Sequence, residues 1–149
     1  MTVAKKIEKV IVYTDGSCEP NPGPGGWAAL ILEDGRETIL KGFEKESTNN
    51  RMEMTAALEA LRNIDPQKPV LVYTDSKNLK NGVESWLKDW QAKNWKRKGG
   101  VLMNIDLWKE ISSEIKQRKI TWKWVRGHVG NPYNERVDRL AKQMMRARK

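Results

Sequence analysis

Cysteine and histidine are almost absent: Cys18 and His128 are the single representatives of their types in 149 residues. One cysteine excludes an intrachain disulfide and a thiolate zinc site, and one histidine excludes an imidazole-rich metal centre. Long apolar runs are missing as well. No stretch of the sequence reaches the roughly 20 residues that span a bilayer. The opening M-T-V-A-K-K-I-E-K lacks the apolar core of a signal peptide. These absences point to a soluble, cytoplasmic chain with no membrane partner. The length suits one domain, residues 1–149, burying about two thirds of its unfolded surface, with no second core.

Positive charge is what the chain has in excess, and it is lopsided. Residues 1–75 carry 9 Lys and Arg against 12 Asp and Glu, whereas residues 76–149 carry 19 against 7. A near-neutral half joined to a basic half suggests one surface turned toward a polyanion, with nucleic acid the foremost partner; a basic surface that serves only solubility is the other reading.

Hydrophobic periodicity gives the order β-β-β-α-β-α-α-β-α. Strands are expected at Val10–Tyr13, Trp27–Leu32 and Thr38–Phe43, with a tight turn at N-P-G-P-G-G (21–26) and a hairpin at Asp34-Gly35. Met54, Ala57, Leu58, Leu61 and Ile64 mark a helix that Asp65-Pro66 stops. A strand over Val70–Tyr73 follows. Leu79, Val83, Trp86, Leu87 and Trp90 mark one amphipathic helix, and Leu107, Trp108, Ile111 and Ile115 mark another after Asn104. A strand over Ile120–Val125 precedes a last helix that opens at Asn131-Pro132. Strand–helix alternation after a three-strand meander predicts an α/β protein with a mixed sheet, part antiparallel and part parallel, flanked by helices.

Two apolar runs end alike, K-V-I-V-Y-T-D at Asp15 and P-V-L-V-Y-T-D at Asp75. Side chains at strand ends project into the crevice at the carboxyl edge of an open α/β sheet, so adjacent strands would set these carboxylates across one site. Either aspartate alone could instead cap a turn. Glu53 and Asp138 lie beside the apolar stripes of their helices. Glu53 also fits a capping box with Asn50, and Asp138 an i+4 pair with Lys142. If all four converge, repulsion of roughly 3 kcal/mol for each pair ~5 Å apart at an effective dielectric of ~20 forbids four ionised acids without cations. Oxygen-only ligands suit Mg²⁺ or Mn²⁺ and disfavour Zn²⁺. Incomplete protein coordination of two such ions is the arrangement of metal-assisted phosphodiester hydrolysis.

The motifs T-D-G-S-C-E-P-N-P-G-P-G-G-W (14–27), T-N-N-R-M-E (48–53), Y-T-D-S (73–76) and G-H-V-G-N-P-Y-N-E-R-V-D (127–138) occur in that order. In them the chain resembles type 1 ribonucleases H of the short bacterial form, over roughly residues 7–145. The resemblance implies a ribonuclease H-like fold with a five-stranded mixed sheet, and endonucleolytic hydrolysis of the RNA strand of RNA–DNA hybrids with two Mg²⁺ ions, leaving 5′-phosphate and 3′-hydroxyl ends. It implies Asp15, Glu53, Asp75 and Asp138 as the metal-binding catalytic acids. It assigns His128, whose ordinary pKa suits proton transfer, to proton shuttling or product release. Cys18, Asn21, Asn49 and Asn50 match positions that contact RNA sugars or base edges. Thr48 and Asn104 match a pocket for a DNA phosphate. A basic protrusion at about 80–100 with Trp86, Trp90, Lys93, Trp95 and Lys96 would line a channel for the DNA strand, although Trp86 and Trp90 equally fit a seam between helices.

Four departures from the family pattern bear on DNA-strand docking: Glu46 where some relatives carry arginine, Lys77 where others often carry an uncharged residue, N-W-K-R-K in place of G-W-K-T, and a shorter loop to Asn104. No appended hybrid-binding domain or polymerase is present in the sequence, so a monomer without an obligate protein partner is expected. Competing readings are a nucleic-acid-binding module without catalysis and a nuclease of the resolvase or integrase type. A two-carboxylate glycosidase leaves the basic half unexplained.

Overall fold

The computed structural model describes residues 9–95, 103–125 and 131–147. Its five strands form one sheet in the order β3-β2-β1-β4-β5. Strands β1 (Val10–Cys18), β2 (Gly23–Glu33) and β3 (Arg36–Ser47) make the antiparallel meander. Asp34 and Gly35 take φ of 51° and 75°, the double left-handed turn that matches the twist of a two-residue hairpin. Helix α1 (Asn49–Arg62) then carries the chain across to β4 (Val70–Thr74), which pairs parallel with β1. Helices α2 (Lys77–Asn81), α3 (Leu87–Ala92) and α4 (Ile105–Lys116) lead to β5 (Ile120–Trp124), parallel to β4, and α5 (Pro132–Arg146) follows.

Period-two alternation sends the residues of β1 to opposite faces. Val10 and Val12 join Leu58, Leu61, Leu79, Trp108 and Ile111 under α1–α4, whereas Tyr13 joins Leu30, Val137 and Ala141 under α5. Each fully buried Leu or Val here contributes roughly 1.5–3 kcal/mol. The last helix starts as its sequence predicts: Asn131 Oδ1 accepts from the amides of Tyr133 (2.9 Å) and Asn134 (3.2 Å), and Pro132 occupies the first helical position.

Three expectations need correction. First, β1 does not stop at Asp15 but pairs with β2 as far as Cys18 opposite Gly25, so Asp15 marks a strand end only on the side of β4. Second, Gly23–Gly26 belong to β2, and the turn shrinks to residues 19–22. These glycines serve close approach: a Cβ on Gly26 would stand 2.2 Å from the Ala141 carbonyl oxygen, so α5 can lie directly on β2. Third, the single helix expected around Leu79–Trp90 is divided by a π-helical stretch, Gly82–Trp86. Gly82 abuts the Trp108 ring, which a Cβ would meet at 2.1 Å, and the wider turn fits around that contact.

Candidate active site

Tyr13 and Tyr73 stand side by side in the β1–β4 pairing, which puts Asp15 and Asp75 two residues beyond matched positions on neighbouring strands. The repeated Val-Tyr-Thr-Asp thus delivers both carboxylates to one edge. Asp15 is held by its place opposite Ala28 and by the Gly16 amide, which donates to its Oδ1 at 2.8 Å. Gly16 has a second effect. A Cβ there would lie 2.5 Å from the Glu53 nitrogen and 2.6 Å from the Met52 carbonyl carbon, so only glycine lets α1 press against β1. That contact brings Glu53 beside Asp15.

One carboxylate oxygen from each of Asp15, Glu53 and Asp75 falls within 4.8 Å of the other two. Asp15 is 4% exposed and Glu53 8%, and Glu53 Oε2 is buried with no hydrogen-bond partner. Burial, with the neighbouring acids, pushes Asp15 up to about 8 and raises Glu53 well above its ordinary value. A buried, unpartnered oxygen inside an all-carboxylate cluster is what a hard divalent cation would satisfy, so these residues fit Mg²⁺ or Mn²⁺. The capping-box alternative for Glu53 fails because Thr48, not Asn50, caps α1: its Oγ1 accepts from the Arg51 amide at 3.1 Å.

Asp138 lines the same groove from α5, outside the close triad but near enough to act on Asp15. Its Oδ2 also meets Lys142 Nζ at 3.1 Å, so the i+4 pair and the place at the site hold together. The groove is open, of about 720 Å³, and Asn49, Asn50 and Ser76–Asn78 also line it.

Short polar side chains on its rim are tied to one another. Asn49 Oδ1 accepts from the Cys18 amide at 2.6 Å, and Asn21 Oδ1 accepts from the Asn49 amide at 3.1 Å. Asn78 Nδ2 donates to Asn50 Oδ1 at 2.8 Å. Asn49 and Asn50 each use the side-chain oxygen as an acceptor, and the NH₂ group is the donor end of each side chain. The Cys18 thiol is buried against the carbonyls of Pro20, Gly23 and Ser47, so this residue meets the rim through its main chain. Thr48 and Asn104 lie on either side of Arg51, whose guanidinium reaches Asn104 Oδ1 (3.4 Å), Asp106 (2.8 Å) and Glu44 (3.4 Å). That pairing holds Asp106 below the usual carboxylate range.

The aromatic residues divide. Trp86 is 37% exposed, whereas Trp90 lies between it (5.7 Å) and buried Trp108 (5.2 Å). Trp90 and Trp95 both pack on the main core, and the Lys109 ammonium stands 5.8 Å from the Trp95 ring. Lys93 pairs with Asp89 at 3.1 Å. His128 and Lys96 lie outside the described residues. Sequence reasoning missed Asn78, whose bond to Asn50 spans two helix starts, and Lys142 as a groove cation. It also missed Trp124, whose indole nitrogen donates to the Asp75 carbonyl at 3.0 Å.

Fold and site together define a class: a mixed-sheet α/β protein with an all-carboxylate candidate metal centre at the carboxyl edge of its central strands. The sequence model of the RNase H family matches residues 7–146. The chain is 48% identical over 133 residues to the ribonuclease H of Granulibacter bethesdensis, covering 89% of each chain. To that of Rickettsia canadensis it is 46% identical, covering 93% of this chain and 90% of the relative. LC9-RNase H1, a type 1 RNase H with the type 2 active-site motif, superposes with a TM-score of 0.83 at 32% identity, covering 97% of this chain and 76% of that one. LC11-RNase H1 in complex with an RNA/DNA hybrid shares the fold at 21% identity and a TM-score of 0.71, covering 94% and 99%. The chain belongs to the ribonuclease H family, and is thus a nuclease.

Proposed function

We propose that this chain cleaves the RNA strand of RNA–DNA hybrids endonucleolytically, leaving 5′-phosphate and 3′-hydroxyl ends, with Mg²⁺ as its ion and Mn²⁺ as a substitute. The observation that carries the reading is the convergence of Asp15, Glu53 and Asp75 within 4.8 Å around a buried, unpartnered Glu53 oxygen. Two divalent ions held by Asp15, Glu53, Asp75 and Asp138 would activate the attacking water and stabilise the leaving oxygen.

The chain's own residues supply the rest. The NH₂ groups of Asn49 and Asn50 donate to 2′-hydroxyls, which lie in the wide minor groove of a hybrid. Asn21 and the Cys18 main chain keep Asn49 turned that way. Lys77 and Lys142 sit where substrate phosphates would pass and raise local anion affinity. Trp86 with Lys93 and Lys96 guides the DNA strand, and Trp90 and Trp95 support that surface from the core side. Thr48 and Asn104 receive a DNA phosphate beside Arg51. His128, assigned on its sequence motif, shuttles a proton or aids release; His128→Ala lowers turnover and leaves ion binding intact. Residues 1–149 act as one ribonuclease H domain, a monomer in the cytoplasm, and no described helix is long and apolar enough to cross a membrane.

Labelled RNA–DNA hybrid, double-stranded DNA and double-stranded RNA incubated in parallel with Mg²⁺ test the proposal. Cleavage confined to the RNA of the hybrid, and lost in Asp15→Asn, is expected. Equal cleavage of double-stranded DNA would favour a resolvase-type enzyme, and binding without any cleavage would reduce the chain to a nucleic-acid-binding module.

A further inference from the structure

The β4–β5 ladder ends where the Val125 amide donates to the Thr74 carbonyl at 2.8 Å. One residue further along β4, at Asp75, a side chain takes over. Trp124 turns its indole N–H onto the Asp75 carbonyl oxygen at 3.0 Å, adding a rung that main-chain pairing no longer supplies. The face of the same ring carries the Lys77 ammonium 4.6 Å from its centroid. Trp124 is 38% exposed, so burial is not the sole reason for a large aromatic at this edge.

Two local side-chain bonds brace the turn that bears Asp75. Thr74 Oγ1 accepts from the Ser76 amide and Ser76 Oγ from the Leu79 amide, each at 3.1 Å. Through the indole, β5 reaches the Asp75 main chain itself. Lys77 is a groove-lining residue, and a flexible ammonium would spread over many positions without the ring beneath it.

We propose that Trp124 is a positioning residue with two separable actions: its indole edge fixes the Asp75 main chain and so sets ion affinity, and its face stations Lys77 where a substrate phosphate passes. The second action rests on the reading of the protein as a hybrid nuclease; the first requires only that the acids bind a divalent ion. Partners around a metal ligand typically change affinity by about 10–100-fold when removed. Loss of one phosphate contact lowers the dependence of log affinity on log salt by about one unit.

The two actions separate by substitution, since Trp124→Phe keeps a ring face and removes the N–H, whereas Lys77→Met keeps the aliphatic stem and removes the charge. Mn²⁺ titrations by calorimetry and hybrid affinity by fluorescence anisotropy in EDTA read them independently of turnover. Trp124→Phe is expected to weaken Mn²⁺ binding about tenfold and to change metal-free hybrid affinity less than about twofold. Lys77→Met is expected to leave Mn²⁺ binding within about twofold, weaken hybrid binding several-fold, and lower the salt slope by about one. Unchanged Mn²⁺ binding in Trp124→Phe, or unchanged hybrid affinity and slope in Lys77→Met, overturns the corresponding action. Should Trp124→Phe fail to fold, the indole N–H resonance of the unaltered protein decides: it shifts on Mg²⁺ addition if the rung senses the site, and an unmoved signal overturns the first action. A wild-type chain that binds no hybrid would sink the hybrid-cleavage reading while leaving the Mn²⁺ comparison valid.

Discussion

Gly16 and Glu53 meet without room for a side chain between them: a Cβ on residue 16 would stand 2.5 Å from the Glu53 main-chain nitrogen. The neighbouring atoms are backbone of a buried helix, so they cannot swing aside. Gly16→Ala should push α1 off β1, at a cost of about 1–3 kcal/mol. It should also weaken ion binding, because the displaced helix carries Glu53 away from Asp15. Urea unfolding and Mn²⁺ titration check the two effects; a variant as stable as the parent, with unaltered ion affinity, would contradict the packing argument.

Acidity at the site gives a second expectation. Unfolded, Asp15 and Glu53 ionise near pH 4. Folded and metal-free, Asp15 is pushed up to about 8 and Glu53 is raised well above its ordinary value, chiefly by burial. Between roughly pH 4 and 8 the folded chain therefore holds more protons than the unfolded one, and stability falls as pH rises, by up to about 1.4 kcal/mol per pH unit for each proton held. Asp106, lowered by Arg51, gains stability above its unfolded value and loses it only as pH falls further, outside this window. Unfolding measured from pH 5 to 8.5 in EDTA should show the decline. Mg²⁺ should flatten it, because the ion competes with protons for the same oxygens. A flat profile in EDTA would contradict the buried cluster.

Glu53→Gln isolates the same conflict. The amide removes a carboxyl that must take up a proton on folding and offers Asp15 a donor, so the metal-free variant should gain on the order of 1 kcal/mol at pH 8. Activity should fall about 100-fold or more, since even partners of metal ligands cost up to that much. Equal losses of stability and activity would mean that Glu53 serves packing alone.

Trp86 and Trp90 should respond differently to truncation. Trp90 bridges Trp86 and buried Trp108, and Trp90→Ala should cost about 3 kcal/mol of stability. Trp86→Ala should cost about 1 kcal/mol or less, since the side chain is more than a third exposed, while weakening hybrid binding several-fold. Thermal melts beside anisotropy distinguish the pair. Trp86→Ala with unchanged hybrid affinity would remove that residue from the DNA path.

Much of this arrangement was legible because pattern and geometry share a period. Identical Val-Tyr-Thr-Asp contexts imply matched strands, and Tyr13 does stand opposite Tyr73. The Met54–Ile64 stripe and the Asn131-Pro132 start were equally plain. Gly25 and Gly26 misled because glycine serves turns and close approaches with the same letter; only the helices standing over them separate the two. The π-helical stretch was hidden because Leu79, Val83, Trp86, Leu87 and Trp90 also fit an unbroken helix. Thr48 and Asn50 are both capping types, and the point where β3 ends decides between them. The role of Trp124 could not be read at all: its acceptor is a main-chain carbonyl 49 residues away, and carbonyls carry no sequence signal.

The sheet ends unevenly at the site, and this makes its two aspartates unlike in kind. Asp15 is embedded in a ladder that runs on to Cys18, so it serves as a fixed datum. Asp75 sits just past β4 in the step to α2, where the Thr74 hydroxyl and the Trp124 indole bond the main chain of the turn. Drift in ion preference or substrate register among related chains should therefore accumulate in residues 74–78 and their props, while the strand carrying Asp15 stays put.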